Sequence, residues 1–136
     1  MNNVPQRGGL GGLELKMGVH WKELKVWQES HQLVLKVYQI TASFPKTEIY
    51  GLVDQLKRAS YSVPANIVEG QSRNTTKDYL HFLFNARGSL EETRYFLLLS
   101  KDLGFITQGV YTDLENRYSI VSKMLNKMIG SLRLIQ

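Results

Sequence analysis

In the last quarter of the chain apolar residues recur in steps of four and three: Val110, Leu114, Tyr118, Val121, Leu125, Met128, Leu132 and Ile135. A seam with this period is hidden only when other helices pack along its length. Three upstream segments supply such partners. In residues 21–43, Val26, Leu33, Val37 and Ile40 lie on one stripe, which continues to Phe44 and is widened by Trp27, Val34 and Tyr38. In residues 48–69 the stripe is Leu52, Leu56, Ala59, Val63 and Ile67. Residues 76–103 form the third segment and residues 107–134 carry the seam. No β-alternation competes with these periods.

Punctuation between the segments is strong. Pro45 stops the first, because the residue before proline is pushed out of the α region. Pro64 removes a backbone donor inside the second and predicts a kink. Gly70 predicts that segment's C-terminal stop. Thr75 or Thr76 caps the third, with Asp78 suited to the positive end of its dipole, and Gly104 ends it. The connections are about four to six residues, and loops that short make consecutive helices antiparallel neighbours. The expected fold is an all-α, antiparallel up-down-up-down four-helix bundle over residues 21–136. Residues 1–20, with Gly8, Gly9, Gly11, Gly12 and Pro5, read as a flexible Gly-rich tail.

Chemistry is scarce. Without cysteine there is no disulfide, thiolate metal site or thiol nucleophile. No phosphate-binding glycine loop followed by lysine occurs, nor a nucleophile elbow, nor His-Glu-x-x-His. A di-iron site in a bundle needs Glu-x-x-His pairs on two helices, and none is present. Asp78 and His81 share a face, but two ligands fall short of a metal site. His31, at the edge of the first stripe, reads as a partly buried, hydrogen-bonded residue. The expectation is a protein that is not an enzyme, with no catalytic residue, cofactor or metal. The longest apolar runs, such as Tyr95 to Leu99, fall far below the ~20 residues of a membrane span. With no secretory signal core either, the expected location is the cytoplasm, away from membranes.

Two surfaces stand out. On the second segment Gln55, Arg58, Ser62, Asn66, Glu69 and Arg73 follow helical steps opposite the leucines. They form either a solvated face, with Glu69 and Arg73 as an i,i+4 pair, or a polar seam between subunits or lining a central channel. On the third segment the apolar surface is wider than one core needs. Phe82, Phe84, Tyr95 and Leu98 cannot all face one interior, which points to a homo-oligomer. Gly88, mid-segment, costs about 1 kcal/mol against alanine, and close approach of another helix would offset it.

Several short words occur in order: Leu24-Lys25-Val26-Trp27, Val37-Tyr38, Phe44-Pro45, Tyr50-Gly51-Leu52, Gln55-Leu56-Lys57-Arg58-Ala59-Ser60 and Ser62-Val63-Pro64-Ala65-Asn66-Ile67-Val68-Glu69-Gly70. Arg73, Phe82-Leu83, Ala86-Arg87-Gly88-Ser89-Leu90-Glu91-Glu92 and Leu103-Gly104 follow. Over about residues 21–130 the chain resembles the 23S rRNA intervening-sequence proteins, also called the S23 ribosomal protein family. The resemblance implies an antiparallel four-helix bundle assembled as a ring-like homopentamer, with no catalytic residues. It implies a subunit-assembly role for the stripe that holds Asn66 and Glu69. The family is also similar in fold to the accessory variability determinant of diversity-generating retroelements, which binds a reverse transcriptase and nucleic acid. Val68 stands where alanine is more usual.

The net charge of +5 and pI near 9.5 permit nucleic acid as a partner. The excess leans toward the C-terminal segment. Candidate phosphate contacts are Lys57, Arg58, Arg73, Arg117, Lys123, Lys127 and Arg133, with Lys123 and Lys127 one turn apart. Ordinary solubilising charge is the competing reading of the same residues. Candidate subunit contacts are Gln55, Ser62, Asn66, Glu69, Phe82, Phe84, Tyr95 and Leu98. The leading expectation is an RNA-associated oligomer; the alternative is a protein scaffold, such as an accessory subunit docking a reverse transcriptase.

Overall fold

The computed structural model describes residues 19–135. The Gly-rich stretch expected to be a flexible tail lies outside the described residues, up to Gly18. Four helices account for most of the rest: α1 (Lys25–Thr41), α2 (Leu52–Gln71), α3 (Thr76–Asp102) and α4 (Gln108–Arg133). Short 3-10 turns occupy Trp21–Glu23 and Lys46–Glu48.

Local chemistry sets the helix ends. Thr75 Oγ1 accepts from the Asp78 N–H at 3.1 Å to start α3, and Thr107 Oγ1 accepts from the Val110 N–H at 3.2 Å to start α4. Each side chain satisfies one of the orphan donors of a first turn. Gly104, at φ +80°, lets the Phe105 N–H reach Ser100 O at 2.8 Å and its own N–H reach Lys101 O at 2.9 Å. Left-handed backbone of this kind closes α3 at little steric cost only in glycine. The first helix starts later than its period predicts. Leu24 is extended and turns inward to a buried position, so Trp21–Glu23 forms a separate turn. That turn brings Trp21 edge-on to Trp27, centroids 4.8 Å apart.

The helices pack in the order α1–α2–α3–α4–α1, most extensively between α2 and α3. Cross-helix contacts give the directions. Arg94 meets Glu115 and Arg87 meets Asn126, so α4 descends as α3 rises. Lys57 lies over Tyr38, one turn into α2 and near the end of α1. The arrangement is an antiparallel up-down-up-down bundle, with α1 and α3 on diagonal corners.

The core is the set of predicted stripes. Leu56, Val63, Ile67, Leu114, Tyr118, Val121, Leu125, Met128 and Leu132 have no exposed surface. Burying a side chain of this size contributes roughly 1.5–3 kcal/mol. Tyr38 departs from its expected place: it leaves the stripe and is 44% exposed. It lies at the α2-facing edge of α1, where Lys57 covers its ring. The second helix runs through the buried Pro64 without interruption.

Two glycines differ sharply in their surroundings. Gly70 does not stop α2, which continues to Gln71 and is capped at Ser72. It is buried instead, and a Cβ there would stand 3.0 Å from both Phe82 Cβ and Tyr79 Cδ1. Gly70 is therefore a point of close approach between α2 and α3. Gly88 was expected to admit a neighbouring helix; within this chain none approaches it, and a Cβ there would meet nothing within 4 Å. Its position on the outward side of α3 explains the open space. The two sites should respond oppositely to alanine. At Gly70 the obstructing Phe82 Cβ is fixed to backbone, so Gly70→Ala should destabilise by about 1–3 kcal/mol. Gly88→Ala should stabilise by about 0.5–1 kcal/mol through helix propensity alone. Urea unfolding of both variants measures the two signs.

Candidate nucleic-acid interface

The proposed cations do not form one patch, because each is fixed by the helix that carries it. Lys57 is half-buried in the α1–α2 groove, its ammonium 4.6 Å from the Tyr38 ring centre. Arg58 pairs with Asp54 at 3.0 Å, and this hydrogen bond holds its pKa above the usual arginine value. Arg73 pairs with Glu69 at 2.8 Å and lies over Phe82 at 4.5 Å. Both arginines spend their charge on carboxylates one turn away, within their own helix.

The remaining four candidates share α4. From Arg117 onward that helix carries Arg117, Lys123, Lys127 and Arg133 and no carboxylate. Arg117 is half-buried; Lys123, Lys127 and Arg133 are exposed. Arg133 lies over the Phe84 ring, 5.1 Å from its centre. None of the four has an ion pair among the described residues.

Arg87, absent from the sequence-based set, joins this group. Its guanidinium lies 5.2 Å from the centre of the same Phe84 ring, and its Nη1 donates to Asn126 Oδ1 at 3.1 Å. Phe84 and Arg87 are one turn apart in sequence, but Arg133 reaches them only through the α3–α4 register. Arg94, two turns further along α3, behaves differently. It makes a two-pronged contact with Glu115 and a 3.2 Å bond to Glu91. The Glu115 hydrogen bond raises its pKa further. The α3–α4 groove is thus neutralised at one end and cationic at the other.

The expected subunit contacts divide in the same way. Gln55 and Glu69 are exposed, while Ser62 and Asn66 are half-buried, with Asn66 Nδ2 donating back to Ser62 O at 2.8 Å. Phe82 and Phe84 are half-buried under arginines, whereas Tyr95 and Leu98 stand 57% and 37% exposed on α3. A second apolar area was not anticipated: Leu35 and Tyr38 on α1 with Tyr61 on α2, 52%, 44% and 41% exposed. Tyr61 follows Lys57 by one turn, and that spacing was the available signal. His31 is half-buried as expected, but among the described residues it has no hydrogen-bond partner and instead stacks on Trp27, 4.9 Å between centroids and 6° between planes.

Among the described residues no group of three or more His, Asp or Glu side chains could hold a metal ion. No described helix is long and apolar enough to cross a membrane. Two buried phenols, Tyr79 and Tyr118, have no hydrogen-bond partner for their hydroxyls among the described residues. Burial pushes both pKa values up.

Fold and surface together define a class: a four-helix bundle with apolar side chains on diagonal corners and a cationic end to its α3–α4 groove. The family model for the 23S rRNA-intervening sequence protein matches residues 22–127, and the chain belongs to that family. A crystal structure of a protein of unknown function from the S23 ribosomal protein family of Bacteroides thetaiotaomicron has the same fold. It aligns with a TM-score of 0.69 and 23% identity over 76% of this chain and 97% of that one. No curated protein matches significantly.

The buried phenols give a pH prediction. In the folded state each stays neutral above about pH 10, where a tyrosine in the unfolded chain loses its proton. The unfolded state then binds fewer protons, so stability falls as pH rises through that value, by about 1.4 kcal/mol per pH unit per tyrosine. Urea unfolding at pH 9 and pH 11 should show this loss, and the Tyr79→Phe/Tyr118→Phe double variant should lose much less.

Proposed function

We propose that this chain is a non-enzymatic cytoplasmic protein that assembles with copies of itself and carries RNA or another nucleic acid on its basic surface. The observation that carries this reading is the second half of α4, where four cations stand from Arg117 onward with no carboxylate among them and, among the described residues, no ion pair. Unpaired cations on a rigid rod meet phosphates without reading bases, and binding of that kind weakens as salt rises. Lys123 and Lys127 are its most accessible members.

Self-association is supported by the two apolar areas. Leu35, Tyr38 and Tyr61 mark the α1–α2 side, and Tyr95 and Leu98 mark α3, on the corner diagonal to α1. Unlike faces on separate sides favour a head-to-tail contact, which closes into a ring when its rotation divides a full turn. A homopentamer is such a ring. The same areas would serve the alternative, a scaffold docking a reverse transcriptase; co-purification of that enzyme with a non-assembling chain would favour it.

Two measurements test the proposal. Light scattering at micromolar concentration should give several times the 15.6 kDa chain mass. Leu35→Glu and Leu98→Glu should each yield monomer alone, and their equimolar mixture should stop at two chains, since one intact junction remains. A monomeric wild type, or a mixture that stays monomeric, contradicts the head-to-tail reading. Separately, RNA affinity should fall steeply between 50 and 200 mM salt, by about tenfold or more for three or more phosphate contacts. A salt-independent affinity contradicts the phosphate-driven mode.

A further inference from the structure

We infer that Phe84, Arg87 and Arg133 form a built site for the phosphodiester backbone of single-stranded nucleic acid, in the α3–α4 groove. The inference rests on the nucleic-acid reading above and names where the strand is held. Two guanidinium groups lie over one half-buried ring, at 5.2 and 5.1 Å from its centre. Arg58, Arg73 and Arg94 each meet a carboxylate, but among the described residues Arg87 and Arg133 meet none. Their partners are neutral: the ring, and for Arg87 the Asn126 side-chain oxygen at 3.1 Å. Each guanidinium has five donors, so most remain free for an anion. Planar forks of this kind suit phosphate oxygens.

The glycines supply an independent observation. Gly88 lies one turn beyond Phe84 and Gly130 one turn before Arg133. A Cβ at either would meet nothing within 4 Å, so neither glycine is needed for packing within the chain. Each nevertheless costs helix stability of about 1 kcal/mol. Their effect is to strip side chains from both sides of the cluster and open it to an approaching chain. Lys123 and Lys127 continue the positive surface along α4, which favours a polyanion over one isolated phosphate. A flexible strand can follow a groove between two helices and stack bases on arginine or the ring edge; a stiff duplex presents its phosphates on a cylinder.

The test is fluorescence anisotropy of a labelled, unstructured 20-nucleotide strand with the full chain, across a salt series. Arg87→Gln/Arg133→Gln should weaken binding at least tenfold at low salt. It should also flatten the log–log salt slope by about 1.4, since each single-strand phosphate contact contributes about 0.7. Arg58→Gln/Arg73→Gln should leave the slope unchanged, and Phe84→Leu should lower affinity several-fold at constant slope. Arg87→Lys/Arg133→Lys keeps the charge, and it should retain the slope while losing affinity, which separates site loss from misfolding. Wild-type binding with an unchanged slope in Arg87→Gln/Arg133→Gln overturns the site and leaves the wider reading standing. No wild-type binding at low salt overturns both. A duplex that binds as tightly as the strand overturns the single-strand assignment.

Discussion

Apolar stripes of unequal width have to be buried against one another, and the contact between α2 and α3 leaves little tolerance. There Gly70 lies against Tyr79 and the Phe82 Cβ with no room for a methyl group. That approach sets how deep α3 sits and therefore which of its many apolar residues reach the core. Tyr79, Leu83, Ala86, Leu90 and Leu97 do; Tyr95 and Leu98 do not. The exposed apolar surface of α3 follows from a helix with more apolar residues than one groove can cover.

The helix count, the topology and almost the whole core are legible in the sequence, because a period of three and four residues directly encodes which side of a helix is dry. The errors fall where a residue type has two physical uses. Glycine ends helices by adopting positive φ, and it also admits close neighbours; Gly104 does the first and Gly70 the second. Sequence alone does not separate these, since the difference is a dihedral angle in one case and a neighbouring helix in the other. Tyr38 fails for a related reason: at the edge of a stripe, a few tens of degrees decide between burial and exposure.

The candidate site was only partly legible. Pairs within one helix, such as Glu69 with Arg73, follow from spacing. The meeting of Arg87, Phe84 and Arg133 depends on the vertical register of α3 against α4, which no local pattern records. The same register pairs Arg94 with Glu115 further along the groove. One groove therefore holds a cationic end and a neutral end, built from the same residue types and separated by where carboxylates happen to fall on the facing helix.

The edge-on contact between Trp21 and Trp27 has a spectroscopic consequence. Both indoles of the chain lie in this one stack, beside His31 and at the end of the bundle where α4 finishes. Transition dipoles at such separation couple, so the far-ultraviolet dichroism should contain an exciton couplet superimposed on the helical bands. Fraying of the first turn would erase that couplet while the bundle remained folded, which makes the entry of the polypeptide into α1 optically separable from the rest of the molecule.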